Sequence, residues 1–192
     1  PTMSYEDFLK REINNIDFEP DIIGFSILFS SSYNGTVKLM EISKNRWVNS
    51  TIVCGGNHAT NWHENLLKIK EVDYVIRGEA ELTFTEFVKN RITNDKKKIK
   101  GVVDRKTVAD SLNKDNNELE HTRRMSSWRW EMSPMINDLD EIPIAAYDLI
   151  DVDYYRNKGA NVMMSRGCVY DCSFCSTKTI HGMGVRYKSK QR

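Results

Sequence analysis

The sequence has no long hydrophobic run: no stretch approaches the roughly 20 apolar residues of a membrane span, so a spanning helix is excluded. Its start, P-T-M-S-Y-E-D-F-L-K-R-E, lacks the basic and apolar regions of a secretory leader. It also lacks an excess of either charge. Twenty-eight Lys and Arg stand against 27 Asp and Glu, a net charge of +1, so composition gives no case for a nucleic-acid surface. The dense basic run Lys96-Lys97-Lys98 lies between Asn94-Asp95 and Gly101, which reads as a solvated turn. Cysteine is scarce, with four residues of which three are clustered. That excludes a disulfide framework and fits a reducing compartment, so a cytoplasmic location is expected.

What remains is ordinary for a globular chain with a real core: 40% apolar and 29% charged residues over 192 positions. No internal repeat is evident. Ser4 to Ile13 opens with a Ser…Asp capping pattern and sets Phe8, Leu9 and Ile13 near one helical face. After Pro20, residues 21–29 form a nearly continuous apolar run, as in a strand buried on both faces of a parallel sheet. Asn34 to Trp47 reads as a helix, Thr51 to Gly56 as a second buried strand, and Trp62 to Ile69 as a short helix. Val72 to Glu79, Leu82 to Ile92 and Gly101-Val102-Val103 continue as strand, helix and strand. This alternation predicts a doubly wound, Rossmann-like α/β domain with a parallel sheet over residues 1–106. Ligands in such sheets sit beyond the carboxyl ends of the strands, here Ser26–Ser32, Gly55–Thr60 and Gly78–Glu81. Their glycines and small polar residues suit either close approach to a ligand or plain turns.

Residues 107–158 read as a connector, polar up to Arg129 and extended at Leu139-Asp140-Glu141-Ile142-Pro143. Asn161-Val162-Met163-Met164-Ser165 then reads as a strand leading into S-R-G-C-V-Y-D-C-S-F-C-S-T-K. Cys168, Cys172 and Cys175 can converge as soft thiolates on one metal centre. Three ligands are one fewer than a closed four-coordinate site needs, which points to reactivity rather than a structural staple. Zinc would need a fourth ligand, with His181 the nearest candidate; a 4Fe–4S cluster would keep one iron open.

The string Cys168-Val169-Tyr170-Asp171-Cys172-Ser173-Phe174-Cys175, preceded by a strand, resembles the C-x-x-x-C-x-aromatic-C signature of the radical S-adenosylmethionine superfamily. The resemblance implies that Cys168, Cys172 and Cys175 bind three irons of a 4Fe–4S cluster. The fourth iron then chelates S-adenosylmethionine, with Phe174 against its adenine, and one electron cleaves the sulfonium to methionine and a 5′-deoxyadenosyl radical. It further implies a small-molecule substrate and an electron donor such as flavodoxin or ferredoxin.

Residues 1–106 resemble the cobalamin-binding domain that precedes the radical domain in a large subfamily. Ser26-Ile27-Leu28 matches its Ser-x-Leu motif, Cys54-Gly55-Gly56 its Gly-Gly, and Gly78-Glu79 a Gly-Glu step at the third strand end. The resemblance implies cobalamin contacts at Ser26, Leu28, Gly55, Gly56, Gly78 and Glu79. It implies methyl transfer to unactivated carbon or phosphorus, or in some members ring closure or rearrangement. A methylthiotransferase-like radical enzyme without cobalamin and a zinc-stabilised, non-enzymatic binding module are the competing readings.

Two departures from the family pattern follow. The first strand and its axial-histidine loop are missing from the cobalamin-type domain, and His58 in Gly56-Asn57-His58 reads as a polar turn histidine. His63 and His121 carry no pattern, and Cys54 reads as a buried strand-end residue. Residues 159–192 hold only the first strand and cluster loop of a radical (β/α) barrel, with Val185-Arg186-Tyr187-Lys188-Ser189 leading toward its first helix. The expectation is an amino-terminal fragment, inactive alone.

Overall fold

A computed structural model describes residues 3–114, 132–156, 159 and 162–190. The chain divides into two compact units, Pro1–Pro134 and Met135–Arg192. None of the helices among the described residues is long and apolar enough to cross a membrane.

The first unit opens with α1 (Tyr5–Asn14). Its cap forms as the sequence predicts: the Asp7 amide donates to Ser4 Oγ at 3.1 Å, and the Ser4 hydroxyl donates to the Asp7 carboxylate at 2.6 Å. Leu9 is buried, whereas Phe8 stays exposed, so the apolar stripe is narrower than the periodicity suggested. β1 (Ile22–Ser26), α2 (Tyr33–Arg46), β2 (Thr51–Gly55), α3 (Asn57–Leu66), β3 (Tyr74–Ile76), α4 (Glu81–Ile92), β4 (Val102–Val103) and α5 (Arg105–Lys114) follow.

The sheet has the order β1-β2-β3-β4. β1 and β2 pair in parallel from Ile22 against Thr51 to Ser26 against Gly55, and β2 pairs in parallel with β3. β4 runs antiparallel to β3, which corrects the expectation of an all-parallel sheet.

Period-two alternation sorts the strand side chains between two cores. Phe25, Ile52, Cys54, Val75 and Val103 pack with Met40 of α2, Leu66 of α3 and Val108 of α5. Val53 and Ile76 face the other way and pack with Phe84 and Phe87 of α4. Four of the five β2 residues are buried, as a two-sided strand requires, and each large apolar side chain buried there contributes about 1.5–3 kcal/mol. β1 is less enclosed than its sequence implied: Gly24 and Ser26 are exposed, because among the described residues it has a hydrogen-bonded neighbour on one side only.

α5 lies where the sequence reads as polar connector. Asp104 caps it, accepting from the Thr107 amide and hydroxyl at 2.7 Å each. Arg105 donates to the carbonyls of Leu67, Ile69, Lys70 and Val72, tying the helix to the end of α3. Val108 packs inward, and capping and carbonyl capture hold the start of the helix. The polar stretch 115–131 lies outside the described residues.

The second unit holds α6 (Val152–Tyr155), β5 (Ser165–Cys168), α7 (Thr177–His181) and β6 (Gly184–Tyr187). The predicted strand at 161–165 starts only at Ser165, and it takes in the first cysteine. β6 pairs antiparallel with β5, Ser165 against Tyr187 and Cys168 against Gly184. The segment expected to run toward a barrel helix is therefore a strand, folded back through Gly182 and Gly184, both at positive φ. The connector is not merely extended. Ile136, Leu139 and Ile142 form a small core, and residues 139–141 make a turn of 3-10 helix. Arg186 donates to the carbonyl of Ile136 and, at 3.0 Å, to that of His181. The Ser189 amide donates to Asp140 at 3.0 Å.

Candidate functional site

In the first unit the carboxyl ends of β1 and β2 are woven together by backbone. The Ile27 amide donates to the Gly55 carbonyl at 2.8 Å, and the His58 amide donates to the Ile27 carbonyl at 3.0 Å. Gly56 sits at φ +95° and ψ 177°, a conformation open essentially to glycine alone. A Cβ there would lie 2.7 Å from the Ile27 carbonyl oxygen. The second glycine thus permits one chain to cross another, while Gly55 presents bare backbone: a Cβ on it would meet nothing closer than the Ile76 oxygen at 3.8 Å.

Ser26 is exposed beside Gly55, and Leu28, Phe29, Trp62 and Leu82 are each about half exposed or more. Large apolar side chains left in water around a glycine floor are what a flat apolar ligand would cover. α3 begins at Asn57, five residues before the sequence placed it, so Gly56 is its N-cap.

Gly78 and Glu79 are placed differently. The Gly78 amide donates to Thr60 Oγ1 at 3.0 Å, and Ser133 covers its Cα side, its amide donating to the Arg77 carbonyl at 2.8 Å. Glu79 is only 3% exposed. This step closes the third strand end from within instead of facing the open floor. Arg77, 1% exposed, donates from Nε to the Thr60 carbonyl at 3.2 Å. No periodicity or motif marks an arginine as a core residue, and sequence reasoning missed it.

The histidines separate by environment. His58 Nδ1 lies 3.0 Å from Ser30 Oγ, and its ring packs 5.3 Å from Tyr33 and 6.3 Å from Trp62. His58 Nε2 is buried without a hydrogen-bond partner among the described residues. The sequence read His58 as a turn residue; it lies instead in the first turn of α3. His63 is buried; desolvation, and then the nearby Arg77 charge, lower its pKa to about 4. Burial pushes the Cys54 thiol up to about 12, leaving it unreactive. His121 lies outside the described residues.

In the second unit Cys168 ends β5, and Cys172 and Cys175 follow on one short loop ahead of α7. All three are free thiols, Cys172 exposed and the other two partly so. The Tyr170 amide donates to Cys168 Sγ at 3.5 Å, and the Cys175 amide to the Cys172 carbonyl at 3.1 Å. Cys175 Sγ is hydrogen-bonded to Thr177 Oγ1 at 3.2 Å; that hydroxyl, then the Thr177 amide, hold its pKa below the usual thiol value. Lys178 and Asp171 form an ion pair across the loop. Gly167, at φ +93°, lets β5 approach the Gly184 carbonyl. Phe174 is 91% exposed, so it is no core aromatic.

Among the described residues no three His, Cys, Asp or Glu side chains are arranged to hold a metal, His181 with the cysteines included. The loop gathers the thiols on one exposed turn without closing them around a point.

Comparison with known proteins bears on both sites. Residues 6–88 match the B12 binding domain family. Over 97% of its length the chain is 34% identical to an uncharacterized methyltransferase of Pyrococcus horikoshii. The solved structure of the radical S-adenosylmethionine methyltransferase TsrM from Kitasatospora setae superimposes with a TM-score of 0.61, over 97% of this chain and 35% of that one, at 15% identity. Residues 6–88 are thus a B12-binding-type domain. Further curated relatives are less similar. The cytidylyl-2-hydroxyethylphosphonate methyltransferase of Streptomyces wedmorensis is 24% identical over 91% of the chain, and a magnesium-protoporphyrin IX monomethyl ester cyclase of Synechocystis 29% over 84%. The chain spans 38% and 36% of the length of the first two curated relatives.

Proposed function

We propose that this chain supplies the cobalamin-binding domain and the cluster loop of a radical S-adenosylmethionine enzyme acting on an unactivated small molecule, most simply by methyl transfer. The observation that carries the proposal is the C-x-x-x-C-x-F-C loop standing on β5, downstream of a B12-binding-type sheet in a single chain. The cyclase relatives favour a second outcome of the same chemistry, ring closure.

The residue types present suit both groups, with the three thiols on one turn but not gathered around a point. Gly55 offers bare backbone, and Ser26 and Leu28 are exposed beside it for a corrin edge or nucleotide tail. Gly56 would serve by holding the crossing that flattens this floor, and Gly78 and Glu79 by bracing the third strand end. Cys168, Cys172 and Cys175 are reduced, reachable and of the soft type that iron–sulfur clusters take, and Thr177 favours the thiolate of Cys175. Phe174, exposed between two cysteines, is free to lie against an adenine. When bound, the cluster with S-adenosylmethionine would supply a reactive radical, and cobalamin a methyl carrier. The chain's own share is to fix the three thiolates on one turn, braced by the Asp171–Lys178 pair, and to present a flat, water-shedding floor.

Anaerobic reconstitution with iron and sulfide tests the cluster assignment: a broad charge-transfer absorption and about four irons per chain are expected. Cys172→Ala should abolish both. One zinc without iron or acid-labile sulfide would establish the binding-module reading instead. Retention of a corrin spectrum through gel filtration tests the first unit, and its absence from a chain that does hold the cluster would favour the cobalamin-free alternative.

A further inference from the structure

The opposite, amino end of the sheet in the first unit carries a second concavity. A cleft of about 990 Å³ opens over the starts of the parallel strands, where Ile22, Thr51 and Tyr74 form its floor. A recess of about 370 Å³ shares Thr51, Tyr74 and Arg91 with it. The run Lys96-Lys97-Lys98, read from sequence as a solvated turn, forms one wall together with Arg91.

None of these four cations forms an ion pair among the described residues. Arg91 is instead held in place, donating to Thr51 Oγ1 at 2.7 Å with its guanidinium 6.0 Å from the Tyr74 ring centroid. Two of the three carboxylates lining the cleft are engaged elsewhere. Asp95 accepts from the Lys97 amide and Asp104 caps α5, beside Lys106; Asp21 is the third. Arg91, Lys96, Lys97, Lys98 and Lys106 outnumber Asp21, Asp95 and Asp104, so the lining carries a net positive charge. Asn90 adds a neutral donor, its Nδ2 buried against the cleft with no partner.

We propose that this cleft binds a diphosphate-bearing small molecule. Orphan donors and a fixed guanidinium suit phosphate oxygens, which take planar, bidentate pairs from arginine and point charges from lysine. The volume exceeds what a single phosphate fills, and the several separated cations match more than one phosphate. The site is distinct from the corrin floor, which lies at the other ends of the same strands.

Calorimetric titration of the full chain with inorganic pyrophosphate, ADP and adenosine tests this. Pyrophosphate and ADP should bind, with affinity falling as salt is raised from 50 to 300 mM, and adenosine should not. ADP binding tighter than pyrophosphate would assign a nucleotide; equal affinity would assign the diphosphate group alone. The triple variant Lys96→Gln, Lys97→Gln, Lys98→Gln, which alters only exposed side chains, should weaken binding about tenfold or more and flatten the salt dependence; Arg91→Gln should do likewise. Absence of heat up to millimolar pyrophosphate would overturn the proposal. So would unchanged affinity in the triple variant, or loss of binding in Gly55→Ala, which would move the site to the corrin floor.

Discussion

Gly56→Ala and Gly55→Ala differ by one position and should differ sharply in effect. At Gly56 the methyl would impose φ +95° on an L-residue, which costs about 1–3 kcal/mol. It would also lie 2.7 Å from the Ile27 oxygen, a backbone atom that cannot rotate away. Relieving the overlap separates the β1 loop from the start of α3 and weakens the His58 amide bond to Ile27, worth about 1 kcal/mol. The sum is about 3 kcal/mol, or about 6–12 °C in Tm for a chain of this size. At Gly55 the methyl meets only the Ile76 carbonyl oxygen at 3.8 Å, an ordinary contact, and folding should change by less than about 0.5 kcal/mol. Urea and thermal unfolding of both variants, followed by circular dichroism, check the contrast. Corrin binding should show the reverse selectivity, since Gly55→Ala keeps the fold while roughening the floor. Equal destabilisation by the two substitutions would refute the assignment of crossing to Gly56 and of floor to Gly55.

Three further outcomes follow from individual residues. His63 has an ordinary pKa of 6.5 unfolded and about 4 folded, so its contribution is complete above pH 6.5 and is lost as pH falls toward 4. Stability should drop by about 2 kcal/mol between pH 7 and pH 5, seen as a lower urea midpoint, and His63→Asn should flatten that slope. A thiol reagent such as dithionitrobenzoate should titrate three cysteines in the native, metal-free chain and the fourth, Cys54, only after denaturation. Asp104→Ala should cost about 1–2 kcal/mol by removing both Thr107 hydrogen bonds at the cap of α5, with a matching loss of helical ellipticity.

Much of this molecule is written in local pattern. The apolar run Thr51-Ile52-Val53-Cys54 admits little besides a strand buried on both faces, and the Ser4…Asp7 spacing fixes where α1 begins. The cysteine spacing, with Phe174 between the last two thiols, marks the proposed cluster loop in the sequence itself. Such features depend on neighbours within a few residues, and sequence records those directly. Tertiary structure decided what depends on distant partners. β4 pairs antiparallel with β3 although α4 lies between them, and α5 exists because Arg105 finds four carbonyls some 35 residues away. Gly56 and Gly55 look alike in sequence, yet Ile27 passes beneath one and not the other. Gly78-Glu79 matches a motif but is covered by residues more than fifty positions later. The lysine run, unremarkable as a string, gained meaning only when folding set it across from Arg91 and the strand starts. Local spacing thus determined which elements and thiols are present; the folded chain decided which surfaces stay open to a ligand, because exposure is settled by whatever else packs there.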